Sequence, residues 1–134
     1  MKSRKIILTV AVGLLLLAAQ VMGQESSEPG IEISFGTDID RENRELVGET
    51  AQFSAGIEKI YCLTRLQGLE APTSVTHVWY RDGKTMARVD LNVASSDWRT
   101  WSSKRLLPEW TGNWEVKVLD SDGRVLSSAG FEVK

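Results

Sequence analysis

Past residue 30 the chain alternates apolar and polar positions in short runs, the period of strands half-buried in a sheet. Ile31-Glu-Ile-Ser-Phe35 is the first such run. Asp38 to Glu49 is charged and has no clean period, so it reads as a connection with room for a helical turn. Ala51 to Leu66 carries the second strand region, with Ile60, Cys62, Thr64 and Leu66 on one face and Tyr61, Leu63 and Arg65 on the other. Val75-Thr-His-Val-Trp-Tyr80 is the third. Asp82-Gly83 follows, a dipeptide suited to the two-residue hairpin turn in which both residues need a positive φ. The chain returns as Lys84 to Val93, with Ala87, Val89, Leu91 and Val93 sharing a face. Trp98 to Lys104 reads as a straight or bulged strand that ends at Leu106-Leu107-Pro108. Trp114, Val116 and Val118 line one side of the next strand, Asp120-Ser-Asp-Gly123 is a second hairpin turn, and Arg124 to Ser128 with Phe131 to Val133 close the pattern.

About seven short strands at regular spacing, with turn residues between them and no amphipathic helix, predict an all-β domain. The expected architecture is an antiparallel immunoglobulin-like β-sandwich over residues 31–134. The Cys–Trp–Cys pattern of antibody domains is absent.

The N-terminal end differs. Lys2, Arg4 and Lys5 precede the apolar run Ile6 to Ala19, and Val21-Met22-Gly23 offers small residues for cleavage. That order predicts a signal peptide over residues 1–23, a linker over 24–30, and a periplasmic or secreted domain. The alternative is an uncleaved anchor in the inner membrane, the domain's only link to a membrane. Removing residues 1–23 takes away three basic residues and no acidic ones, leaving 13 against 18, a net charge of −5. Such a balance argues against nucleic acid as a partner, because counterion release needs a basic surface. The single cysteine, Cys62, allows no internal disulfide and lies in an apolar run, where a buried thiol is expected.

From Ile57 to Val133 the sequence resembles a bacterial family, the domain of unknown function 2914. The residues that carry the likeness are Tyr61-Cys-Leu-Thr64, His77-Val-Trp79-Tyr80 and Trp98-Arg-Thr-Trp101-Ser-Ser-Lys104. Pro108, Gly112-Asn-Trp114, Asp120-Ser-Asp-Gly123 and Phe131-Glu-Val133 continue it. The resemblance implies an exported or membrane-tethered β domain and supplies no catalytic residues.

Four of the five tryptophans fall between Asp97 and Trp114. Trp79 and Trp114 have apolar same-face neighbours and are expected in the core. Trp98 and Trp101 are three apart, so a regular strand sends them to opposite faces. Arg99 shares the face of Trp101 and could stack on it. Trp110 precedes a turn and is expected half exposed. Arg99, Trp101, Trp110 and Lys104 therefore form the candidate surface, with His77 as a further ligand contact. One histidine excludes the common multi-histidine metal sites, and no cofactor is implied. No nucleophile-elbow pattern surrounds Ser102 or Ser103. Asp97 and Glu109 flank the stretch, but two acids beside loops do not make a glycosidase.

The expected function is a non-catalytic envelope module that binds a protein or glycan through its Trp/Arg surface. A small hydrolase using His77 and a purely structural accessory domain are the alternatives.

Overall fold

The structure is a computed structural model that describes residues 28–134. The segment expected as a signal peptide, 1–23, and most of the expected linker lie outside the described residues. Ten strands follow in chain order. They are β1 (Gly30–Gly36), β2 (Asp38–Asp40), β3 (Glu45–Val47), β4 (Gln52–Phe53), β5 (Lys59–Gln67), β6 (Thr73–Arg81), β7 (Lys84–Val93), β8 (Asp97–Arg105), β9 (Gly112–Leu119) and β10 (Val125–Val133). Among the described residues there is no helix.

Two sheets face each other. The smaller has the order β1-β5-β8 and the larger β4-β10-β9-β6-β7. Pairing is antiparallel throughout both, except that β4 runs parallel to β10. With the short β2–β4 set aside, the seven long strands divide as first, second and fifth against third, fourth, sixth and seventh, close to the division in an immunoglobulin-like sandwich. The interior is built by alternation. Ile60, Cys62, Thr64 and Leu66 on β5 are fully buried, as are Val75, His77 and Trp79 on β6.

Phe131 on β10 is the centre of the aromatic core. Its ring lies 4.7 Å from Phe35, 5.7 Å from Phe53, 6.1 Å from Trp79 and 5.8 Å from Trp114, the last nearly parallel. Antibody domains pin their sheets with a disulfide beneath a tryptophan. Here Cys62 on β5 and Trp79 on β6 hold those places, and Trp114 and Val116 supply apolar packing from β9. A second apolar group, Leu66, Val75, Val93 and Val118, fills the other end.

Three expectations need correction. Asp38 to Glu49 forms a hairpin, β2–β3, and not a helical turn. The Asp40 carboxylate accepts hydrogen bonds from the Glu42 and Asn43 backbone N–H groups and from Asn43 Nδ2, at 3.1, 3.2 and 2.9 Å. These bonds, those of Asn43 first, hold its pKa below the usual value. Arg44 then turns the chain with a φ of 56°. The region Ala51 to Leu66 is two strands in different sheets, divided at Gly56, whose φ of 93° suits glycine. With β2, β3 and β4 included, there are ten strands and not seven. The Asp82-Gly83 turn is as expected, with φ values of 48° and 82° between the paired Arg81 and Lys84.

Candidate functional site: the two faces and the end of β8

Among the described residues strand β8 is a free edge of the smaller sheet, paired only with β5. The register sets Trp98 against Leu66, Thr100 against Thr64 and Ser102 against Cys62, all toward the interior. Arg99 opposes Arg65 and Trp101 opposes Leu63 on the outer face. Trp98 and Trp101 therefore point to opposite sides, as the odd spacing predicts. Trp98 packs against the Leu66–Val75 group.

The cation beside Trp101 is nevertheless Arg44, not Arg99. From the β2–β3 turn its guanidinium reaches the free edge of β8, 4.6 Å from the Trp98 ring and 5.4 Å from Trp101. There it donates a hydrogen bond to the Arg99 carbonyl, and Arg99 Nη1 donates back to the Arg44 carbonyl at 3.5 Å. An edge strand with open carbonyls invites pairing with another chain, and a charged side chain laid along it blocks that. Local periodicity carries no sign of Arg44, because it meets β8 across 55 positions.

Lys104 and Trp110 sit elsewhere, at one end of the sandwich. The Lys104 ammonium lies 5.1 Å over the Trp110 ring. Trp110 leans on Trp114, with centroids 6.3 Å apart, and its carbonyl accepts a 3.1 Å hydrogen bond from Trp114 Nε1. A cleft of about 520 Å³ opens here, lined by Gly56, Glu58, Leu107, Pro108, Trp110 and the end of β8 through Lys104 and Arg105. Leu107 is 49% exposed, one of three large apolar residues so open among the described residues, with Val47 and Val125. The strand pattern marks Leu107 only as the end of β8, so its part in the cleft has no local signal.

His77 belongs to neither place. It is fully buried between the sheets. Its Nε2 lies 2.8 Å from Thr64 Oγ1 and its Nδ1 2.6 Å from Ser102 Oγ, while Trp79 Nε1 donates to the same Ser102 oxygen at 3.1 Å. A neutral ring protonated on Nε2 satisfies this set, with Ser102 donating to Nδ1 and Nε2 donating to Thr64. Burial lowers the imidazole pKa to about 4, and pushes the neighbouring Cys62 thiol up to about 12. A serine this close to a histidine has the form of a nucleophile–base pair, yet no substrate reaches it in this conformation. As a contact for a partner His77 is likewise sealed off, because the two sheets close over it. The five candidates thus divide among an outer face, a cleft and the core.

Residues 72–133, which span β6 to β10, match the family model described as a protein of unknown function (DUF2914). That stretch of the chain is similar to the DUF2914 family. The match leaves out Tyr61 to Thr64, although the sequence resemblance includes them. A search of curated proteins finds no match. Within the matched segment lie Trp79, Trp114 and Phe131 of the core and also Lys104, Leu107 and Trp110 of the cleft. Arg44 from the β2–β3 turn, Glu58 from the β4–β5 connection and Arg65 from β5 all precede it.

Proposed function

We propose that this domain is a non-catalytic module of the cell envelope that binds a partner protein at the cleft beside Trp110. The observation that carries the reading is the cleft itself, where exposed Leu107, Pro108 and the edge of Trp110 stand beside Lys104, Arg105 and Glu58. Apolar walls with a few charged groups at the rim suit a side chain that is buried while a neighbouring acid meets the two cations. A sugar fits less well. The Lys104 ammonium lies over the Trp110 ring and takes that face from a stacking sugar. The basic start and apolar run of residues 1–23 support the envelope location. The sealed Ser102–His77 pair supports a non-catalytic role, since a base and its nucleophile must share a site with substrate.

Capture from envelope extract with wild type, Trp110→Ala and Leu107→Asp tests the reading. The expected outcome is a protein held by wild type and lost by both variants, with circular dichroism unchanged. Identical captures from all three would favour a structural accessory domain. Retention on purified envelope glycan would move the site to a sugar ligand.

A further inference from the structure

The outer face of β8 carries a group of charges that the cleft does not use. Arg65 and Arg99 are direct cross-strand partners, and like charges so placed repel. Arg44 is added to them from the β2–β3 turn, held by the two tryptophan rings and by the Arg99 carbonyl. Three guanidinium groups thus converge, and among the described residues one carboxylate pairs with them. Arg65 Nε lies 3.6 Å from Asp97, with both side chains partly in water. Each guanidinium has five N–H donors. Arg44 and Arg99 each give one of these to a main-chain carbonyl, and the Nε–H groups of Arg44 and Arg65 are closed off from solvent without a hydrogen-bond acceptor, Asp97 lying just beyond that distance from Arg65.

The two sides of this group differ in charge. On one side a hollow of about 290 Å³ adds Glu32, Glu45 and Glu49 to the three arginines, which balances them. On the other a hollow of about 320 Å³ is lined by Arg44, Arg65, Arg99, Asn43, Ser95, Trp98 and the single acid Asp97. We propose that this second hollow is an oxyanion site, in which Arg44, Arg65 and Arg99 take a phosphate or carboxylate group. Guanidinium forks bind such groups with paired, charge-assisted hydrogen bonds. Asn43 has a second amide N–H beyond the one it gives to Asp40, while the Ser95 hydroxyl already donates to the Asp97 carbonyl at 2.8 Å. Asp97 acts as the internal competitor, since its carboxylate occupies part of the positive field that the ligand would use. The rings of Trp98 and Trp101 hold Arg44 in place before the ligand arrives, which lowers the ordering cost of binding. The site is independent of the Trp110 cleft, and either can fail alone.

Arginine Nε–Hε signals in NMR test it, with inorganic phosphate or acetate added to the protein at constant ionic strength and chloride as the control. The expected result is a saturable shift of the Arg44, Arg65 and Arg99 signals. Arg99→Gln should raise the half-saturating concentration about tenfold, and Asp97→Asn should lower it several-fold. Preference for phosphate or for acetate identifies the group. Equal shifts with chloride, or no tightening in Asp97→Asn, would overturn the proposal. Asp97→Asn removes only a weak exposed pair, so the test stands even where Arg99→Gln disturbs folding.

Discussion

On the inner face of β8, Ser102 accepts from Trp79, meets His77, and is joined through that ring to Thr64. Three residues away on the strand, on the outer face, Arg99 meets Arg65 across the sheet and Arg44 beside the edge. Both groups are polar and both span distant parts of the chain. The inner one is complete, each polar atom finding a neutral partner in a dry interior. The outer one has donors to spare and a net positive charge. A buried polar network that is fully paired specifies the packing of a core. A cationic group left short of acceptors, open to a hollow, is what a ligand can complete. Hydrogen bonding alone therefore does not mark a functional residue, and the short Ser102–His77 contact belongs to the architecture.

The comparison can be broken at several points. The largest effect should come from the core beneath both faces. Trp114→Ala should cost about 3–5 kcal/mol in urea unfolding, as for other large aromatic truncations. Trp110→Ala, which removes a ring only partly covered, should cost about 1 kcal/mol. Equal losses would refute the assignment of one to the core and the other to the cleft. Next, Ser102→Ala leaves His77 Nδ1 and Trp79 Nε1 without their common partner and should cost about 2–4 kcal/mol. A near-neutral result would mean that the inner network does not hold the sheets.

Acidification sharpens the same point. His77 is neutral in the fold, with a pKa of about 4 against 6.5 when exposed. Unfolded chains bind the proton first, so the stability that depends on a neutral ring is whole above pH 6.5 and is lost as pH falls toward 4. The drop is worth about 3 kcal/mol, at about 1.4 kcal/mol for each tenfold change in proton affinity. Urea unfolding of wild type and His77→Gln should show the gap between them shrinking over that window. A gap that stays constant would mean that His77 is not held neutral.

On the outer face the effects should be smaller. Arg44→Ala should cost about 1 kcal/mol through the lost ring contacts and the freed Arg99 carbonyl. Asp97→Asn should change stability by less than about 1 kcal/mol, because its pair with Arg65 is exposed.

What could be read from the sequence was whatever depends on neighbours along the chain. The period of β5 and β6 marked the interior faces, and Asp82-Gly83 marked its turn by the φ that both residues adopt. The opposed directions of Trp98 and Trp101 followed from strand geometry alone. What could not be read depends on which strand lies beside which. Arg44 sits in a charged stretch with no period, and its contact with Trp98 and Trp101 exists only because the β2–β3 hairpin folds over the smaller sheet. For His77, on the same face as Val75 and Trp79, a structural hydrogen bond is the first reading of the sequence and a ligand contact the second. The partners that decide the matter, Thr64 and Ser102, arrive from the opposite sheet. The cleft beside Trp110 needed Gly56 and Glu58 from the break between β4 and β5, and that break was hidden inside an apparently continuous strand region.

The parallel pairing of β4 with β10 bears on how the domain assembles. Gln52 and Phe53 meet Glu132 and Val133 across most of the described chain, and β10 lies between β4 and β9 in the larger sheet. Contacts of such long range are reached slowly, since loop closure comes before any gain from burial. During synthesis, Phe35, Trp79 and Trp114 have no Phe131 to pack against until β10 has been made. The aromatic core is therefore completed only by β10, and not by a hairpin such as β6–β7.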